Sequence, residues 1–314
     1  MMRFDVEYQA PDISAYRTGN TGLDYVHQFT SGKAGPNILI TGLIHGNEIS
    51  GAVALDFLMK NDIRPDIGTL TLCFANVAAY RCFNPAKPHL SRYLDVDMNR
   101  VWSRETLKNG PASRELARAR EILPVVEQAD YLLDIHSMSD DCQPLALAGK
   151  QEKGVTLARA IGLAPYIIMD RGHASGFRLR DFDRFSSGSI RPASILMECG
   201  QHWRQATAEF AINSCLRFMT ATGILEQEKA APWLTLPSAR KERVLDVTHT
   251  VTVEHEAFFF TRSVQAMERI KRAGTELGLD GVTPVVTPYD DCFLVMPQPG
   301  APRGNTAVRM ARSI

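Results

Sequence analysis

The chain has 314 residues, roughly two typical domains in length, which is enough to bury substantial cores and excludes a disulfide-stapled mini-domain. Hydrophobic residues make up 45% and charged residues 22%, which excludes a disordered chain. Lys and Arg number 35, as do Asp and Glu, so the net charge is zero and nothing draws the whole chain toward nucleic acid or an acidic membrane.

The continuous apolar run Asn37 to Leu43 (NILITGL) precedes a Gly-containing turn and predicts a buried strand. Helical spacing follows over Glu48 to Lys60, and Thr69 to Ala75 (TLTLCFA) predicts a second strand. Residues 76–110 hold few periodic runs and predict a long loop, a feature that is often functional inside a compact domain. A helix over Ala112 to Gln128, a strand over Tyr131 to His136, a helix over Gln151 to Ile161 and a strand over Tyr166 to Met169 come next. Arg171 to Pro192 is Gly-, Ser- and Arg-rich and predicts a second functional loop, before a strand at Ser194 to Cys199 and a helix at Arg204 to Thr222.

This alternation predicts an α/β fold with helices on both faces of a sheet. Near residue 230 the character changes. Pro232 and Pro237 interrupt the chain, Val244 to Phe260 alternates like a strand, and short β-like pieces follow at Pro284 to Thr287 and Cys292 to Val295. The expected division is residues 1–230 and a small, mostly β domain over 231–314.

Six scattered cysteines without a C-x-x-C, in a chain that opens without an apolar leader, predict reduced thiols and a cytoplasmic location. The apolar stretches are too short to span a bilayer. No phosphate-binding glycine loop and no G-x-S-x-G is present.

Chemistry concentrates at four places. His45-Gly-Asn-Glu48 follows a predicted strand and opens a helix, so imidazole and carboxylate can converge on one metal ion. His136 ends a strand where an α/β sheet presents functional groups, with Asp134 two residues earlier on the same face. Arg92, Asn99 and Arg100 share a compact loop suited to carboxylate or oxyanion recognition, in which Asp97 is expected to shape the loop. Glu198 is the one charged residue in the apolar run SILMECG, which is costly unless the carboxylate is paired or functional. His249 and His255, six residues apart on one predicted strand, are too distant for a shared ion and read as surface residues.

H-G-N-E, R-Y-x-D-x-D-x-N-R, D-I-H and E-x-G, in that order, resemble the succinylglutamate desuccinylase/aspartoacylase family of zinc carboxypeptidase-like hydrolases. The resemblance implies a carboxypeptidase-like α/β/α sandwich with a mixed sheet, plus a small β-rich C-terminal domain. It implies one zinc per chain on His45, Glu48 and His136, with Glu198 activating water and Arg92 stabilising the oxyanion. Asn99 and Arg100 would hold a substrate carboxylate. The substrate class it implies is a small N-acyl amino acid, with neither nucleic acid nor membrane as partner and a homo-oligomer left open. The stretch Phe185 to Arg191 departs from the aspartoacylase pattern of a Tyr and an Arg before the catalytic Glu. Arg178, Arg180 and Arg191 are the candidates to replace that Arg, and Tyr289 is the candidate for the family's C-terminal Tyr. The alternatives are a metallocarboxypeptidase and a catalytically silent zinc- or metabolite-binding protein.

Overall fold

The structure, a computed structural model, describes residues 5–239, 241–256 and 258–314. Through the first part of the chain the elements are β1 (Val26–Thr30), β2 (Asn37–Gly42), α1 (Ile49–Lys60), β3 (Thr69–Phe74), α2 (Val77–Tyr80), α3 (Arg104–Asn109) and α4 (Arg114–Gln128). They continue with β4 (Tyr131–Met138), β5 (Leu145–Leu147), α5 (Glu152–Ile161), β6 (Tyr166–Met169), β7 (Ala193–Gln201), α6 (Gln205–Ala221) and α7 (Gln227–Ala230). Beyond these are β8 (Arg243–Thr252), β9 (Phe258–Phe260), β10 (Arg269–Ile270), β11 (Glu276–Asp280), β12 (Thr283–Val286), β13 (Cys292–Val295) and β14 (Thr306–Ser313).

Eleven strands form one mixed sheet in the order β1-β3-β2-β4-β7-β5-β6-β8-β14-β13-β10, and β12-β11-β9 form a separate antiparallel sheet. The centre is parallel, β3-β2-β4-β7, and β5 then runs antiparallel to β7. Both faces of this centre are covered, which is why its strands read as unbroken apolar runs. Ile38, Ile40, Leu133 and Ile135 pack under α1, α5 and α6. Leu39 and Leu132 face the other way, against α4 and a layer that includes Trp102, Leu179 and Phe182.

Three expectations needed correction. Residues 76–110 are not one loop: they contain α2, α3 and single 3-10 turns at Pro88–Ser91 and Met98–Arg100, which are too short to leave a periodic signal. The alternating run Val244 to Phe260 is not one strand: β8 ends at Thr252, and β9 belongs to the other sheet. Ala257, inside that run, lies outside the described residues. His255 therefore does not share a strand with His249 and instead meets Asp280. Residues 243–314 do form β pieces, of which β8, β14, β13 and β10 continue the large sheet.

Two features of the fold bring the reactive groups together. The parallel register of β4 and β7 sets His136 opposite Glu198. After β2, the turn His45–Glu48 is pressed against neighbouring backbone, and the Gly46 N–H donates to the Arg92 carbonyl at 3.0 Å. A Cβ at Gly46 would lie 2.4 Å from Ala79 C and Tyr80 N and 2.6 Å from the Ser91 carbonyl, so only glycine fits. Gly46→Ala is expected to lower unfolding stability by about 1–3 kcal/mol, seen as a reduced urea midpoint at constant m-value. An unchanged midpoint would contradict this close approach.

Candidate active site

His45, Glu48 and His136 are buried, and one ligand atom from each lies within 4.8 Å of the others. Glu48 is the residue at which α1 begins, so its carboxylate is carried over the end of β2 and reaches the end of β4. Its Oε1 is 2.7 Å from His45 Nδ1, and its Oε2 is 2.9 Å from His136 Nδ1. The Ser137 N–H donates to the same Oε2 at 3.0 Å.

The opposite nitrogen of each imidazole is held by another carboxylate. His136 Nε2 is 2.8 Å from Asp134 Oδ2, and the Thr41 hydroxyl donates to Asp134 Oδ1 at 2.7 Å. His45 Nε2 is 2.9 Å from Asp97 Oδ1. Both rings therefore turn Nδ1 inward and are steadied at Nε2 by a carboxylate, the arrangement that orients metal-ligating histidines.

The electrostatics match this donor set. Burial alone would raise the Glu48 carboxyl, but His45 and His136 overcome it and hold it well below the usual carboxylate range. Burial works against a proton on His136, yet Asp134 and Glu48 push its imidazole well above the ordinary value. Positive charge is thus favoured where the three groups meet, and a divalent cation supplies it without protons. Two imidazoles and a carboxylate suit zinc.

Glu198 sits beside this cluster at 6% exposure, and its Oε2 has no hydrogen-bond partner among the described residues. Burial pushes its carboxyl up to about 8; His136 and Arg92 oppose the rise, while Glu48 and Asp134 add to it. A buried carboxylate with one oxygen left without a hydrogen bond, next to a cation-seeking cluster, is suited to taking up and releasing a proton. No ion pair with Arg191 restrains it: the Arg191 guanidinium lies over the Tyr131 ring.

The loop containing Arg92 and Arg100 is tied down from below. Buried Glu115 of α4 accepts from the backbone N–H groups of Leu94, Asp95 and Val96. Arg92 reaches Glu48 Oε1 at 3.3 Å and Asp97 Oδ2 at 3.2 Å, with its side chain 37% exposed. Arg100 Nη2 is 3.7 Å from the same Asp97 oxygen. Asp95 pairs instead with Arg114. Asn99 is buried, and its Oδ1 accepts from the Leu179 N–H at 2.9 Å, so its NH2 is the end free to donate.

Asp97 does more than shape the loop, since it also holds His45. A contact across 52 residues leaves no local spacing to read, and the same is true of Glu115. Ser137 was also missed; its hydroxyl lies 2.7 Å from the Nδ1 of buried His202. Arg178 and Arg180 are buried in ion pairs with Asp170 and Asp181. Tyr289 meets Thr248 and His249, with no site residue among its partners.

The family model described as "Succinylglutamate desuccinylase/Aspartoacylase catalytic domain" matches residues 34–221. The chain belongs to this family. Among curated relatives, a protein named "Probable aspartoacylase" from Parasynechococcus marenigrum (strain WH8102) is 28% identical over 177 residues, 52% of this chain and 53% of that protein. The chain thus aligns with about half the length of that relative. In fold, the family member resembles the succinylglutamate desuccinylase of Vibrio cholerae, with a TM-score of 0.70 at 18% identity, covering 93% of this chain and 86% of that one. It also resembles a succinylglutamate desuccinylase/aspartoacylase from Rhodobacter sphaeroides, with a TM-score of 0.61 at 19% identity, covering 92% and 88%. Among the described residues no helix is long and apolar enough to cross a membrane.

Asp134→Asn should keep the fold and weaken metal affinity by about 10- to 100-fold, measured by competition with a chromogenic chelator. Unchanged affinity would show that Asp134 does not orient His136.

Proposed function

We propose that this family member is a zinc-dependent amidohydrolase that removes the acyl group from a small N-acyl amino acid. The observation that supports it most is the buried Glu198 carboxylate, whose Oε2 has no hydrogen-bond partner among the described residues, beside the converging His45, Glu48 and His136. A zinc ion on these three ligands would polarise the scissile carbonyl and acidify water.

The remaining chemistry belongs to the chain's own groups. Glu198 takes a proton from the attacking water and hands it to the departing amine, so the products are a carboxylate and a free amine. Arg92, already turned toward Glu48, faces the oxygen on which negative charge develops. The Asn99 NH2 and the Arg100 guanidinium hold a substrate carboxylate and so fix the amide against Glu198. Asp97 and Asp134 keep the two imidazoles aimed.

In this reading residues 1–230 form a carboxypeptidase-like catalytic domain, and residues 231–314 form a smaller β-rich domain that narrows access to the cleft. One zinc serves each chain, and the protein works in the cytoplasm on small molecules.

The test is hydrolysis of a panel of N-acetyl and N-succinyl amino acids, followed as released amine. Wild type is expected to turn over members of the panel, and Glu198→Gln to lose about 10²- to 10⁴-fold in kcat while retaining its metal. Cleavage of C-terminal peptide bonds but not of N-acyl amino acids would replace this reading with a metallocarboxypeptidase. Metal binding without hydrolysis of either would leave a silent binding protein.

A further inference from the structure

The strand that carries Glu198 ends in a turn that touches both ligand-bearing segments. Pairing of β4 with β7 slips just past the site. The register advances two residues on β4, from His136 to Met138, but three on β7, from Glu198 to Gln201. Such a β-bulge beside a functional site re-aims the side chains that follow it. Gly200 allows it here, since its φ is +122° and a Cβ would lie 2.9 Å from Thr207 Oγ1.

The slip leaves Ser137 without a regular ladder partner on β7. Yet the Ser137 N–H is the backbone donor to Glu48 Oε2, at 3.0 Å. The direction of that N–H is set by the peptide plane between His136 and Ser137. With no ladder bond to steady this plane, the Ser137 side chain does so: its hydroxyl lies 2.7 Å from His202 Nδ1, and both residues are buried. Burial pushes the His202 imidazole down to about 3, so the ring is neutral, and either tautomer forms one hydrogen bond with the hydroxyl.

His202 is itself firmly held. Its N–H donates to the Met138 carbonyl at 2.8 Å, and its carbonyl accepts from the Tyr8 hydroxyl at 2.9 Å. Trp203 follows and is fully buried. Its Nε1–H donates at 3.1 Å to the carbonyl of Asn47, inside the turn that carries His45 and Glu48. The Trp203 carbonyl accepts from the Glu7 N–H at 2.9 Å. The turn after β7 thus grips the end of β4 through Ser137 and the His45–Glu48 turn through Asn47.

We propose that His202 is a positioning residue for Glu48. Through Ser137 it fixes the N–H that binds Glu48 Oε2, so that the carboxylate is presented to a metal ion in one orientation. This rests on the reading of His45, Glu48 and His136 as a metal site and adds a residue outside those three. Groups that orient a ligand without touching the ion commonly set its affinity.

The test uses the full chain as wild type, His202→Asn and His202→Leu. It reads zinc affinity by chelator competition, the d–d spectrum of the cobalt(II)-loaded protein and the urea midpoint. Zinc has a filled d shell and is silent, whereas cobalt(II) reports the geometry of its ligands. His202→Leu removes the partner of Ser137 and should weaken zinc binding by about tenfold or more and alter the cobalt spectrum. His202→Asn puts an amide near the place of Nδ1 and should keep the spectrum and an affinity within about threefold of wild type. A role in stability alone would lower the urea midpoint and leave affinity and spectrum unchanged, which would overturn the inference. Equal weakening in His202→Asn and His202→Leu would also overturn it. If His202→Leu does not fold, Ser137→Ala cuts the same link from the other side. It should reproduce the weakening and the spectral change, and wild-type affinity there would contradict the inference. Wild type that takes up neither zinc nor cobalt would sink the metal-site reading and this inference with it, whereas tight zinc binding by wild type and folded His202→Leu alike would sink the inference alone.

Discussion

Glu48 carries the site. Its carboxylate is wedged between two imidazoles from different segments of the chain, and a backbone N–H of β4 binds one of its oxygens. The geometry depends on the end of β2, the start of α1 and the end of β4 being held at one point. Gly46 permits that approach, and parallel pairing of β4 with β7 then places Glu198 beside it. Carboxylates behind the imidazoles, Asp97 and Asp134, complete a network in which negative charge is concentrated around a point that favours a cation.

The same network explains why the two glutamates differ. Both are buried, so burial pushes both toward the neutral form. Glu48 touches two imidazoles and is held ionised, whereas Glu198 has no hydrogen bond at Oε2 and is pushed up to about 8. Two carboxyl groups of one chemical type are thus set apart by their surroundings, which supports the proposed roles of Glu48 as a ligand and Glu198 as a proton carrier.

Much of this was legible in the sequence, because His45, His136 and Glu198 each close or interrupt an apolar run, and Glu48 follows His45 by three residues at the start of a helix. The central strands were legible for the same reason, since two-sided burial writes them as unbroken apolar segments. What escaped was set by distant partners. Glu115 supports the 94–96 loop from α4, and Asp97 holds His45, but neither contact leaves a spacing to read. β14 was missed because Arg309 interrupts its apolar pattern while pointing inward. β5 is only Leu145–Leu147, too short for periodicity, and its antiparallel direction is fixed by pairing with β7.

The proposed chemistry depends on a metal bound by the two imidazoles and Glu48. The direct measurement is elemental analysis of the purified protein beside folded His45→Ala and His136→Ala variants. About one zinc per chain in wild type, lost in both variants, is the predicted result. A wild-type protein that is metal-free and cannot be reconstituted with zinc would contradict it.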